Sequence, residues 1–257
     1  MLTPAQAERL EIVLVSPRNP LNIGAAARAM ANFGLHRLSI VAPFAVNWIE
    51  AKSAVGAPAL LREAQVFGTL AEAVAPFALV LGTGSLDKRK PVQAILSLPQ
   101  AAAQILQTLA AEAPDRPGAR VALLFGSEKH GLTAGDLSWC HAIVVIDTAA
   151  EQPSMNLGQA VAVCLYEISR DPARPEAREE AARNVEQPTS AQLDRLACLI
   201  EETMDRANYS TRGLRSANGE ALRVLLRRLM PADADLRRMM GLFRRILWQL
   251  GRPSGKI

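Results

Sequence analysis

Three short runs of this chain, at residues 12–15, 121–125 and 143–146, are apolar at every position, and each leads into a small, polar stretch. The stretches are Asn22-Ile-Gly24-Ala-Ala-Ala-Arg28, Gly126-Ser-Glu128-Lys-His-Gly131-Leu132 and Ser154-Met155-Asn156-Leu157. A strand that is apolar throughout is buried on both faces, the mark of a parallel sheet covered by helices. In such an open sheet, ligands bind in the crevice beyond the carboxyl ends of the strands. Three polar loops at three strand ends therefore predict one composite site.

The rest of the first two thirds fits the same α/β class, a parallel sheet with helices on both faces. After the strand at 11–15, a helix over 22–33 stops at Gly34, a residue suited to a left-handed cap. A strand at 38–41 follows, then short helices at 59–61 and 70–74 with strand character at 66–67 between them. The buried strand at 78–81 runs into Gly82-Thr-Gly84-Ser85, and residues 91–109 read as one helix. A last helix spans 156–169. The predicted divisions are a sheet domain over 1–170, a charged Pro/Arg/Glu/Ala linker over 171–188, and a helical domain over 189–257. In that last part Thr189 or Ser190 can cap a helix carrying Leu193, Leu196, Ile200 and Met204 on one face. Two more amphipathic helices follow, with Arg223, Arg227, Arg228, Arg237, Arg238, Arg244 and Arg245 on their polar sides. Such arginines form either a solvated face or a surface that follows a phosphate backbone.

Composition narrows the function classes. The net charge of +4 favours polyanionic partners only mildly. Cys140, Cys164 and Cys198 are widely spaced and form no Cys-x-x-Cys pair, which points away from disulfide or zinc frameworks. The chain opens without a basic, then apolar, leader pattern, and no apolar run approaches membrane-spanning length, so a cytoplasmic protein is expected. The third glycine of Gly-x-Gly-x-x-Gly is missing after Gly82 and Gly84, which argues against a nicotinamide enzyme.

Asn22 reads as a helix cap or as a polar site group. Arg28, set among alanines that suggest close packing, calls for an anionic partner such as a phosphate or carboxylate. Glu128 is a turn carboxylate that caps a helix, or that orients Arg28 if the two meet. Ser154 and Asn156 either satisfy a helix start or hold a substrate hydroxyl or phosphate.

Taken together, Asn-x-Gly-x-x-x-Arg, Gly-x-Glu-x-x-Gly-Leu and Ser-x-Asn-Leu at these intervals resemble the SpoU (TrmH-type) branch of the SPOUT RNA methyltransferases, closest to its TrmJ subgroup. That resemblance implies 2′-O-methylation of ribose in tRNA, at cytidine or uridine 32 of the anticodon loop, with S-adenosylmethionine as donor and no metal. It also implies a C-terminal trefoil knot and a homodimer. By motif position, Thr83, Gly84, Ser85, Gly126, Ile146, Pro153, Ser154, Met155 and Leu157 would hold the cofactor. Arg28 would be the central catalytic residue, with Asn22, Glu128, Ser154 and Asn156 around the ribose. The chain departs from the subgroup's pattern at Ser127, at Gly84-Ser85-Leu86 and at Met155. Two alternatives share the motifs or the fold: an rRNA 2′-O-methyltransferase of the same branch, and a non-catalytic RNA-binding module. Trp48 or Tyr209 is a candidate for stacking on an unpaired base.

Overall fold

The computed structural model describes residues 2–44, 48–85, 91–110, 118–149, 151–170, 188–209 and 215–251. Seven strands form one sheet: β1 (Leu10–Val15), β2 (Leu38–Val41), β3 (Gln65–Phe67), β4 (Leu79–Thr83), β5 (Ala94–Ser97), β6 (Val121–Phe125) and β7 (Ala142–Val145). Their order is β3-β2-β1-β6-β4-β7-β5, and every pairing is parallel. Side chains alternate across the sheet, and the burial follows suit. On β1, Leu10, Ile12 and Leu14 join one core while Val13 and Val15 join the other.

The larger core lies under α2 (Pro20–Asn32), α5 (Leu98–Ala110) and α7 (Leu157–Ser169). The smaller lies under α4 (Leu70–Val74) and α6 (Ala134–Leu137). Short helices α1 (Pro4–Ala7) and α3 (Pro58–Glu63) complete this part. α2 and α7 pack closely because Gly158 presents no side chain: a Cβ there would come within 2.6 Å of Ala25 Cβ. Gly34 adopts φ +72 just past α2, the left-handed stop expected of it.

Two expectations need correction. α2 begins at Pro20, with Asn19 and not Asn22 as its cap: the Asn19 side chain accepts from Leu21 N at 2.9 Å. Proline at the first helical position behind a capping residue is a standard start, because its missing N–H would have had no partner there. The segment at 91–109 is not one helix, since residues 94–97 form edge strand β5 beside β7 before α5 starts.

Beyond the expected linker, of which 171–187 lie outside the described residues, come α8 (Ser190–Arg206), α9 (Arg215–Leu229) and α10 (Asp233–Leu250). They share a small core of Leu193, Leu196, Ala197, Leu226 and Leu236. Thr189 caps α8 through a reciprocal box with Gln192. The helices dock on the smaller core's side of the sheet, where Ser190 N donates to Phe77 O at 2.8 Å and Ala191 N to Ala75 O at 3.1 Å. Arg227 is the second anchor. Placed by its sequence on a polar face, it is 1% exposed. It donates to Trp139 O at 2.9 Å and Ser190 Oγ at 2.6 Å. Burial pushes its pKa down to about 10. No helix among the described residues is long and apolar enough to cross a membrane.

Candidate active site

The sheet register sets three candidate loops side by side. Gly82 pairs with Leu124 and Thr83 with Val144, so β4, β6 and β7 end in one row. Neighbouring strands lie about 4.8 Å apart, which brings Thr83–Ser85, Gly126 and Ile146 to a single edge. Thr83 is buried and donates its hydroxyl to Leu124 O at 2.9 Å, while Gly84 N donates to Val144 O at 3.1 Å. These contacts close the strand ends, leaving Gly84 half-buried and Ser85 exposed.

Behind β6 the chain doubles back. Gly131 N donates to Ser127 O at 2.8 Å, and Ser127 and Gly131 form an isolated antiparallel bridge. A Cβ at Gly126 would lie 2.0 Å from the Gly131 carbonyl carbon, so only glycine allows this fold-back. Gly131 itself has φ +64, and Leu132 is fully buried in the smaller core. The two glycines and the leucine of this motif thus shape the loop, and Glu128 stands at its tip.

Glu128 meets the first motif, though not through Arg28. Its Oε1 accepts from Asn22 Nδ2 at 3.0 Å and from Asn19 N at 3.0 Å, and its Oε2 accepts from Arg18 N at 2.9 Å. Burial disfavours its ionisation, but the bonds from Asn22 and from the backbone outweigh that and hold the carboxyl below its ordinary range. Asn22 in turn accepts from Asn156 Nδ2 at 2.9 Å through its own Oδ1. Asn156 also caps α7, its Oδ1 accepting from Gly158 N at 2.9 Å. One chain of hydrogen bonds, Glu128–Asn22–Asn156, therefore joins the loop after β6, the first turn of α2 and the start of α7. The three motifs do meet in space.

Arg28 lies six residues beyond Asn22 on α2. Its neighbours Ala26, Ala27 and Ala29 are buried in the close packing expected of this helix, but Arg28 itself is exposed and makes no hydrogen bond or ion pair among the described residues. Ser154 and Pro153 are exposed, Met155 and Ile146 half-buried, and Leu157 buried in the larger core. Trp48 is 5% exposed and belongs to the core, whereas Tyr209 is 76% exposed. A cleft of about 540 Å³ is lined by Leu132 and Thr133 at the end of the loop after β6 and by Glu220, Val224 and Arg228 of α9.

Sequence reasoning missed Asn19 and Arg18, whose backbone amides complete the grip on Glu128. The Asn19-Pro20 pair was the available signal, because a capping residue before proline marks a helix start.

Comparison with known proteins gives the arrangement a family. Residues 9–166 match the SpoU rRNA Methylase family. The chain is 31% identical over 238 residues to a tRNA (cytidine/uridine-2′-O-)-methyltransferase TrmJ of Citrobacter koseri, covering 91% of this chain and 95% of that one. It is 40% identical over 162 residues to a tRNA (cytidine/uridine/adenosine-2′-O-)-methyltransferase TrmJ of Pseudomonas aeruginosa, and there spans only 60% of the relative's length. The crystal structure of TrmJ from Z. mobilis superposes with a TM-score of 0.77 at 31% identity, covering 92% of this chain and 98% of that one. With this match over most of the sheet and through the C-terminal helices, the chain belongs to the SpoU methylase family, in its TrmJ branch.

Proposed function

We infer that this protein transfers a methyl group from S-adenosylmethionine to a ribose 2′-hydroxyl of tRNA, with a cytidine or uridine as target. The observation that carries the reading is the Glu128–Asn22–Asn156 chain, which fixes the helix bearing Arg28 against the loops after β6 and β7. TrmJ relatives named for tRNA 2′-O-methylation support the substrate and the chemistry. A C-terminal trefoil knot, a homodimer and the division into sheet domain, linker and helical domain belong to the same proposal.

The strand-end row fits the methyl donor in kind. Gly84 lets a flat ring approach the backbone, Ile146 and Met155 offer half-buried apolar surface backed by the core residue Leu157, and Ser85 and Ser154 offer exposed hydroxyls. Thr83, Gly126 and Pro153 would complete the lining. Bound there, the sulfonium supplies an already activated methyl group. The protein's contribution is then orientation of the attacking oxygen. An arginine guanidinium keeps its proton in proteins, so Arg28 acts as a clamp. It stabilises negative charge growing on the 2′-oxygen and grips the adjacent phosphate, whose oxygen accepts the departing proton. Glu128 is an anchor and no base: it is held ionised, with both oxygens already accepting N–H bonds. Ser154 and Asn156 present a hydroxyl and an amide to the ribose from the start of α7.

The test is transfer of labelled methyl to bulk tRNA and, separately, to unmodified rRNA, followed by nucleoside analysis. We expect 2′-O-methylcytidine or 2′-O-methyluridine in tRNA, reduced by about a hundredfold or more in Arg28→Ala, as for loss of a group aimed at developing charge. Arg28→Lys should recover little, because a point charge lacks the two-pronged geometry. A signal confined to rRNA would keep the chemistry and replace the substrate, a reading favoured by the family's description as rRNA methylases. RNA binding without transfer would support the non-catalytic module instead.

A further inference from the structure

Arg18 and Phe44 form an exposed pair beside the candidate active site. The Arg18 guanidinium carbon lies 4.3 Å from the centroid of the Phe44 ring, and Phe44 is 70% exposed. Both residues are tied to the frame that carries the motifs. Arg18 N donates to Glu128 Oε2, on the carboxylate that Asn22 also holds. Phe44 N donates to Pro17 O at 3.0 Å. The turns leading to them pass through left-handed backbone at two residues other than glycine, Ser16 with φ 49 and Ala42 with φ 43. Such conformations persist only where surrounding contacts impose them.

The pair has no evident role in folding. A ring this exposed contributes little to a core. The Arg18 guanidinium makes no hydrogen bond or ion pair among the described residues, and the nearby carboxylate of Glu128 is already held by two backbone amides and Asn22. Stacking on the ring leaves the N–H edge of the guanidinium free, the geometry that suits a phosphate. Single-stranded RNA is bound by this combination of cationic groups along the backbone and aromatic faces under unstacked bases.

We propose that Arg18 and Phe44 form a substrate subsite at the rim of the active site, with Arg18 on a backbone phosphate of unpaired RNA next to the target nucleotide and Phe44 stacked under one of its bases. The assignment rests on the RNA methylation reading above and adds to it the residues that would grip the strand beside the target. The pair would contribute to binding and leave the methyl-transfer step to Arg28.

The experiment measures anisotropy of a fluorescein-labelled, unmodified tRNA transcript bound by the full chain without cofactor, across a salt series. Methyl-transfer kinetics and solution mass are measured in parallel. Arg18→Ala should weaken binding about tenfold and flatten the log–log salt slope by about 0.7, the share of one phosphate contact on a single strand. Arg18→Lys should keep the slope. Phe44→Ala should weaken binding about tenfold with the slope unchanged, and Phe44→Trp should restore it. In each alanine variant KM for RNA rises while kcat at saturating RNA stays within about twofold, because the lost contact is one of uniform binding. Unchanged affinity and slope in both alanine variants, with the wild type active, would remove the subsite and leave the methyltransferase reading standing. Altered solution mass in the variants would overturn it too, by making this face a contact between copies of the chain. A wild type that neither binds the transcript nor methylates it would bring down the underlying reading itself.

Discussion

Asn156 shows how a side chain can serve a helix and a site at once. Its oxygen caps α7, while its amide nitrogen holds Asn22 and, through it, Glu128. Removing either asparagine breaks the same chain of bonds. Asn22→Ala and Asn156→Ala should therefore each slow methyl transfer by about tenfold to a hundredfold, the scale of a small misplacement of reacting groups. The double variant should be little slower than the worse single one, and a kinetic cycle over the four proteins checks this. A second residue-scale prediction concerns His141. It is buried, accepts from Val80 N at 3.0 Å, and has its pKa pressed from 6.5 to about 3, first by burial and then by Arg227. Above pH 6.5 the imidazole is neutral in both the folded and the unfolded chain, and its contribution to stability is complete. Between pH 6.5 and about 3 only the unfolded chain takes the proton. Stability is lost there by about 1.4 kcal/mol per pH unit. Denaturant titrations at pH 7 and pH 5 should differ by about 2 kcal/mol less in His141→Gln than in the wild type.

At the scale of elements, the contact of α2 with α7 decides whether the motifs meet. Gly158 sits two residues after Asn156, and a methyl group there would press against Ala25. Gly158→Ala should cost about 1–3 kcal/mol by overpacking, lower Tm, and reduce methyl transfer by shifting Asn156 away from Asn22. Gly241 is the control. It lies on an exposed face of α10, where a Cβ would meet nothing within 4 Å, so Gly241→Ala should stabilise by up to about 1 kcal/mol through helix propensity. Thermal melts of the two variants should move in opposite directions. Edge strand β5 marks where element reading from sequence stopped. Ala94 and Ile95 are exposed, and helix α5 follows without a break. With only four residues and no alternation of burial, nothing in this segment separates a strand from the first turn of a helix. Its strand state is set by pairing with β7.

For the whole molecule, the buried guanidinium of Arg227 governs how the C-terminal helices attach. Its bonds to Trp139 O and Ser190 Oγ span α9, the turn before β7 and the start of α8, and its guanidinium lies 5.0 Å from the Trp139 ring centroid. Arg227→Ala leaves those two acceptors without their donor and opens a cavity, an expected loss of about 3 kcal/mol. Limited proteolysis should then release α8–α10 sooner than in the wild type. An unchanged cleavage rate would mean that the small core of Leu193, Leu196 and Leu226 holds these helices unaided.

The sequence alone determined the α/β class, because strands such as 121–125 are apolar at every position and only a sheet covered on both faces buries them all. It also determined the three loops, since polar residues at strand ends have no place in a core. Tertiary structure decided which residues those loops use. Glu128 faces Asn22 instead of Arg28, Asn19 takes the cap assigned to Asn22, Arg227 turns inward, and Arg18 reaches Phe44. Periodicity records which face of an element is apolar. It carries no record of which element lies opposite, and Asn22 and Glu128 are 106 residues apart in the chain. That distance is closed by the order of strands in the sheet, through the pairing of β1 with β6.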